Sequence, residues 1–147
     1  LCVMQEDLIS FFSEDINFDL AQSDLYSIWL QKLIKTYNKI TGDISYIFCS
    51  DEYLHKLNVE HLNHDTLTDI ITFDYTHAGI ISGDIFISID RIKENSNSFS
   101  VTFEQELTRV MAHGVLHLIG FKDKKQEEKD EMRTVEDKAI SLFHLDL

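Results

Sequence analysis

A chain of 147 residues with 44% apolar content has the size of one domain and enough apolar residues to bury a core. Its 26 acidic residues against 13 basic ones give a net charge of −13, which favours solubility and opposes long-range attraction of nucleic acid. The absence of proline, the 5 glycines and the lack of an internal repeat argue against long linkers, low-complexity stretches and a domain boundary.

Two cysteines, Cys2 and Cys49, are too few for a disulfide framework, so free thiols and no disulfide-linked partner are expected. The first residues lack the basic start of a signal peptide, and no apolar run reaches the length of a membrane span. The expected setting is the cytoplasm, with no membrane partner.

In chain order, Leu8 to Leu20 reads as one or two short extended segments near a sheet edge. Ala21 to Asn38 spaces Leu25, Ile28, Trp29, Leu33 and Tyr37 as a packing helix, and Ile44 to Ser50 alternates as a strand. Ser50 is placed to cap a helix running to about Leu62. The stretch around Thr68 to Phe73 opens another strand, and Ile80 to Ser88 is apolar enough to be a central one. A short helix follows from Ser88 to about Asn97, with Ile89 and Ile92 inward.

Thr102 to Ile119 places Phe103, Leu107, Val110, Met111, Val115, Leu116 and Leu118 at helical spacing on one or more buried faces. Thr102 with Gln105 forms a capping-box start, and Gly120 suits the end. Gly114 in mid-helix costs about 1 kcal/mol against alanine, which predicts the close approach of another backbone. A final helix from Lys122 to Leu145 carries Met132, Val135, Ala139, Leu142 and Phe143 as its apolar stripe and a solvated charged face. The fold predicted is α+β: a single domain over residues 1–147, with a roughly four-stranded mixed sheet packed on a central histidine-bearing helix and further helices around it.

The chemistry concentrates on that helix. His113 and His117 are i, i+4 neighbours and the only polar side chains between Val110 and Phe121. Burying two imidazoles among apolar residues costs free energy unless each ring nitrogen finds a partner, and a divalent cation supplies one. The turn at Gly120 can return Asp123 to the last helical turn. Two Nε2 nitrogens and a carboxylate oxygen suit zinc, one ion per chain, although another divalent metal is possible. Three protein ligands leave a fourth position for water, as catalytic rather than structural sites do. A zincin has its glutamate base just after the first histidine; here that place is Gly114.

His113-Gly-Val-Leu-His117-Leu-Ile-Gly120-Phe121, with a ligand at position 123, resembles the signature of the YbeY family, bacterial metal-dependent endoribonucleases of ribosomal RNA maturation. The family's third ligand is most often histidine, where this chain has Asp123. Asn58, Thr68, Asp69, Thr72 and Phe73 match further family positions, and Gly83-Asp84 matches its glycine-aspartate strand entry. The family arginine credited with handling the phosphate falls on Leu62. Lys122, Lys124 and Lys125 are the candidate substitutes, with His61 and His64 as further phosphate-facing candidates. Asp69 and Asp84 are candidate catalytic residues; turn chemistry or a cap to a backbone N–H is the plainer role for each.

The resemblance implies a zinc-dependent endonuclease for single-stranded ribosomal RNA, acting at the 3′ end of 16S RNA and in ribosome quality control, with the small subunit as partner. Two alternatives stand beside it. One is a ribosome-assembly factor whose metal is mainly structural and whose RNA contacts are partner-assisted; the other is a metal-dependent hydrolase of a peptide or ester.

Overall fold

In the computed structural model, which describes residues 8–62 and 68–145, the patterning resolves into alternating strands and helices followed by a run of helices. The order is β1 (Ile9–Ser13), α1 (Ser23–Thr36), β2 (Ile40–Cys49), α2 (Asp51–Leu62), β3 (Ile70–Asp74), β4 (Ile80–Ser88), α3 (Ile89–Ser98), α4 (Phe103–Ile119) and α5 (Gln126–Leu145). The strands form one mixed sheet in the order β1-β2-β4-β3, with β3 antiparallel to β4 and the other pairs parallel. β1 is an edge strand and β4 a central one, as their sequences suggest. No helix among the described residues is long and apolar enough to cross a membrane.

α4 is the centre of the larger core. Leu107, Val110, Met111, Ala112, Val115, Leu116 and Leu118 are buried on it, each apolar burial contributing about 1.5–3 kcal/mol for the larger side chains. The Tyr46 hydroxyl, fully buried in β2, donates to the Met111 carbonyl at 2.7 Å and fixes the helix on the sheet. Trp29 Nε1 donates to the Ala139 carbonyl at 2.8 Å, tying α1 to α5. The capping box at Thr102 and Gln105 forms as expected, with reciprocal bonds of 3.0 and 2.8 Å.

Gly114 is explained differently from the expectation. A β-carbon there would meet Ile85 Cγ2 at 3.0 Å and Ile70 Cδ1 at 3.1 Å, so side chains of β4 and β3, not another backbone, fill the space that the glycine leaves.

Two boundaries, and the place of one residue within its strand, also differ. β2 starts at Ile40, with its pairing to β4 irregular between Thr41 and Ile44; Gly42-Asp43 breaks the alternation, yet pairing of Ile40 and Thr41 with Ile80 and Ile81 keeps the chain extended. α5 starts at Gln126 because Glu128 Oε1 accepts the backbone N–H groups of Lys124 and Lys125 at 3.1 and 2.9 Å. Residues 122–125 therefore form a connecting turn. Asp84 lies in the middle of β4 rather than at a strand entry.

The opposite face of the sheet carries α2 over a smaller cluster of Cys49, Leu54 and Ile71, with Tyr53, Leu57, Phe73 and Phe86 around it. Cys49 is buried there and burial, with the nearby Asp15, Asp51 and Asp90, pushes its thiol up to about 12, which leaves it unreactive. Cys2 lies outside the described residues.

Candidate metal centre

His113 and His117 leave the same side of α4 one turn apart, their ring centroids separated by 6.0 Å. α4 then stops at Gly120, whose φ of 129° takes the backbone where a side chain would be strained, and whose N–H bonds back to Leu116 and His117. The reversal returns Asp123 to the helix end. Its Oδ2 stands 3.2 Å from His113 Nε2, and its Oδ1 3.8 Å from His117 Nε2.

The three side chains approach one another, and among the described residues no group of three His, Cys, Asp or Glu side chains stands in an arrangement that would hold a metal ion as it is. Around a tetrahedral ion with bonds of about 2.0–2.2 Å, ligand atoms stand about 3.3–3.6 Å apart; the His113 contact at 3.2 Å is near that spacing, while the His117 contact, at 3.8 Å, is made by the other carboxylate oxygen, so a shared ion would need Asp123 to turn.

The donor chemistry points the same way. His113 Nδ1 lies 2.7 Å from Glu136 Oε2, on α5, and a carboxylate there assigns the ring proton to Nδ1. In the neutral ring Nε2 then holds a lone pair, facing an Asp123 oxygen that also has only lone pairs to offer. Two acceptors at 3.2 Å require a shared cation: a proton on the imidazole, or a metal. Burial alone would lower the affinity of His113 for a proton; the Glu136 hydrogen bond and charge, helped by Asp123 and Asp69, overcome it and hold the imidazole above its ordinary value.

Glu136 and Arg109 complete the contacts of the candidate site, and the sequence does not single them out. Glu136 is buried, and its second oxygen accepts from Arg109 at 2.9 Å, while the same guanidinium reaches Asp137 at 2.6 Å. The chain Asp137–Arg109–Glu136–His113 ties α4 to α5 and fixes the ring's orientation. Arg109 lies one helical turn before His113, a spacing visible in sequence. The partner on α5 is visible only as an acidic residue beside the apolar stripe of Val135 and Ala139.

His113, His117, Asp123, Glu136 and Arg109 line a cleft of about 720 Å³ together with Asn58, Thr68, Asp69, Thr72, Glu106 and Lys124. Its lining includes the carboxyls of Asp69, Glu106, Asp123 and Glu136 against the cations Arg109 and Lys124, an excess of two negative charges that one divalent ion would balance. Burial pushes the Asp69 carboxyl above its ordinary range, with His113 opposing. Burial and Asp69 do the same to Glu106, against Arg109 and Arg133.

The other candidates divide. Asp69 is in the cleft; Asp84 is not. It pairs in register with Phe73, on the α2 side of the sheet, since the alternate residues Gly83 and Ile85 face α4. The Asp84 Oδ2 accepts from the Tyr75 hydroxyl at 3.4 Å. His61 stands edge-on to Phe73, centroids 6.2 Å apart, on that same side. His64 lies outside the described residues. Of the three lysines, Lys124 lines the cleft, Lys122 lines a neighbouring hollow with Tyr37 and Glu131, and Lys125 stands beside Glu128 at the start of α5.

A family model described as Endoribonuclease YbeY matches residues 8–144. A curated relative from Flavobacterium johnsoniae is 51% identical over 135 residues, spanning 92% of this chain and 97% of its own length. Another from Christiangramia forsetii is 51% identical over 143 residues, spanning 97% and 99%. Both carry the name Endoribonuclease YbeY. A solution structure of a Thermotoga maritima protein matches with a TM-score of 0.63 at 26% identity, over 92% of this chain and 88% of that one.

Proposed function

This chain belongs to the endoribonuclease YbeY family, and from that premise we propose that it is a divalent-metal-dependent endonuclease of single-stranded ribosomal RNA. The reading takes zinc as the metal, 16S RNA maturation at the 3′ end and ribosome quality control as the setting, the small ribosomal subunit as partner and the cytoplasm as location. One observation carries it: Asp123 brings its carboxylate to Nε2 of His113 while the other ring nitrogen of His113 is held by Glu136.

His113, His117 and Asp123 would hold the ion. When bound, it would polarise the phosphate and make a water acidic enough to attack near neutral pH. Glu136 keeps the His113 proton on Nδ1, so that Nε2 remains free as a donor of electrons. Arg109 balances the buried Glu136 charge, which would otherwise be costly to bury unpaired. Asp69, raised by burial and opening into the same cleft, is placed to take or give a proton on the substrate side, as a group with a pKa nearer neutrality can. Lys124, exposed at the rim, meets the backbone phosphates as a point charge.

A second reading keeps the metal and the fold but assigns the RNA contacts to a partner. The net charge of −13 and the presence of one lysine, Lys124, among the described residues of the cleft favour it. The experiment that separates them is cleavage of single-stranded RNA by purified protein with and without a chelator. Chelator-sensitive cleavage by the isolated chain supports the first reading; cleavage only with small subunits present supports the second; chelator-resistant cleavage removes the metal from both.

A further inference from the structure

A second concavity of about 620 Å³ adjoins the cleft, and Glu106 and Arg109 belong to the walls of both. Tyr26, Phe99, Val101, Ile140 and Phe143 provide its apolar surfaces. We propose that this groove binds an unpaired base of the RNA strand next to the scissile phosphate, and so helps to set where the strand is cut. The proposal rests on the endoribonuclease reading above.

Three observations carry it. The first is continuity. Arg109 precedes His113 by one helical turn, about 6 Å of axis, so a strand whose phosphate lies at His113 and His117 can reach the mouth of the groove with its neighbouring base.

The second is the surface itself. Phe99 is 62% exposed and Val101 38% exposed, on the connection between α3 and α4. Leaving an aromatic ring in water has a cost, and here the ring borders a hollow whose volume falls in the range of ligand sites, about 300–1,000 Å³. Deeper in, Tyr26 and Phe143 stack with centroids 5.2 Å apart, which gives a firm aromatic floor. Gln22, Gln105 and Arg133 stand on the walls with amide and guanidinium donors. Aromatic faces for stacking with donors for base edges are what single-stranded RNA recognition uses.

The third is charge. In a chain carrying −13, the groove offers Glu104, Glu106 and Arg133, with Arg109 already engaged by Glu136 and Asp137. Its surface is thus mainly apolar with few free charges, which an uncharged base fits better than a charged group does.

The test uses the metal-loaded full chain and a hexaribonucleotide containing 2-aminopurine, whose fluorescence falls when the base stacks. Binding is read by stopped flow before turnover, and cleavage sites are mapped on a longer single strand. Because Phe99 is exposed, Phe99→Ala should fold and load metal as wild type does. It should bind the hexamer at least about fivefold more weakly, the lower end of a single stacking contact, with reduced quenching and a blurred cleavage pattern; Phe99→Tyr should keep all three near wild type. If the wild type cleaves and Phe99→Ala matches it in affinity, quenching and cut sites, the groove serves something else, a protein surface included, and the endoribonuclease reading survives. If the wild type neither binds nor cleaves, that reading fails and the groove proposal with it.

Discussion

The two sides of α4 are built from different kinds of information. On one side Gly114 and Leu118 fit against Ile85 and Gly83 of β4, and the Met111 carbonyl takes the Tyr46 hydroxyl. On the other, Arg109 and His113 reach across to Asp137 and Glu136, and Asp123 returns to meet both histidines. The first side answers to volume, which neighbours on the helix announce by their spacing. The second answers to partners that the chain supplies a turn or a whole helix later. A change on the first side should cost stability and spare the chemistry; a change on the second should do the reverse.

Apart from the metal ligands themselves, the largest effect is expected at Glu136. Glu136→Gln keeps the size of the side chain but removes the charge that orients His113, and should weaken zinc binding about 10–100-fold. Isothermal titration against a competing chelator measures it, and unchanged affinity would show that the contact with His113 is incidental. On the opposite side, Gly114→Val drives a branched side chain into Ile85 and Ile70. Overpacking of this kind should lower stability by about 1–3 kcal/mol, read by urea denaturation, while zinc stoichiometry in the folded protein stays at the wild-type value.

A pH titration sharpens the contrast further. The folded-state pKa of His113 is raised above the ordinary imidazole value, near 6.5, so the apo protein gains stability from its proton that is fully present below that value and lost as pH rises through the raised one. Zinc competes for the same nitrogen, so its affinity should fall as pH drops through that window, sooner than an unperturbed imidazole would allow. Apo stability and zinc affinity should therefore run in opposite directions across it; parallel trends would contradict the assignment of the proton. The smallest effect is expected at Asp84. Asp84→Asn, on the far face of the sheet, should leave zinc affinity and RNA cleavage within about twofold of wild type, consistent with additivity for separate sites.

These differences also explain what the sequence makes legible. The histidine pair, its helix, the capping box and the mixed sheet follow from periodicity and short-range signals, and all are present. Asp123 follows from a turn at Gly120 only three residues earlier. Glu136 does not, because its contact with His113 spans 23 residues and depends on how α5 crosses α4. Asp69 and Asp84 look alike as acidic residues near strand starts, yet β4 begins four residues before Asp84, and the two-residue alternation then turns Asp84 away from the cleft. Three neighbouring lysines read as one cluster, but residues 122–125 turn before α5 begins, and the turn leaves Lys124 at the cleft and Lys122 outside it. Gly114 shows that a helix position kept free of a side chain can be filled by side chains from the sheet.

The central claim, that His113, His117 and Asp123 together hold one divalent ion, is tested most directly by metal stoichiometry. Purified wild type, His113→Ala, His117→Ala and the double variant would be loaded with zinc, desalted, checked for folding by circular dichroism and measured by elemental analysis. The expected result is one zinc per chain in wild type, a loss of most metal in each single variant and none in the folded double variant. A double variant that is folded and still carries one zinc per chain would contradict the claim.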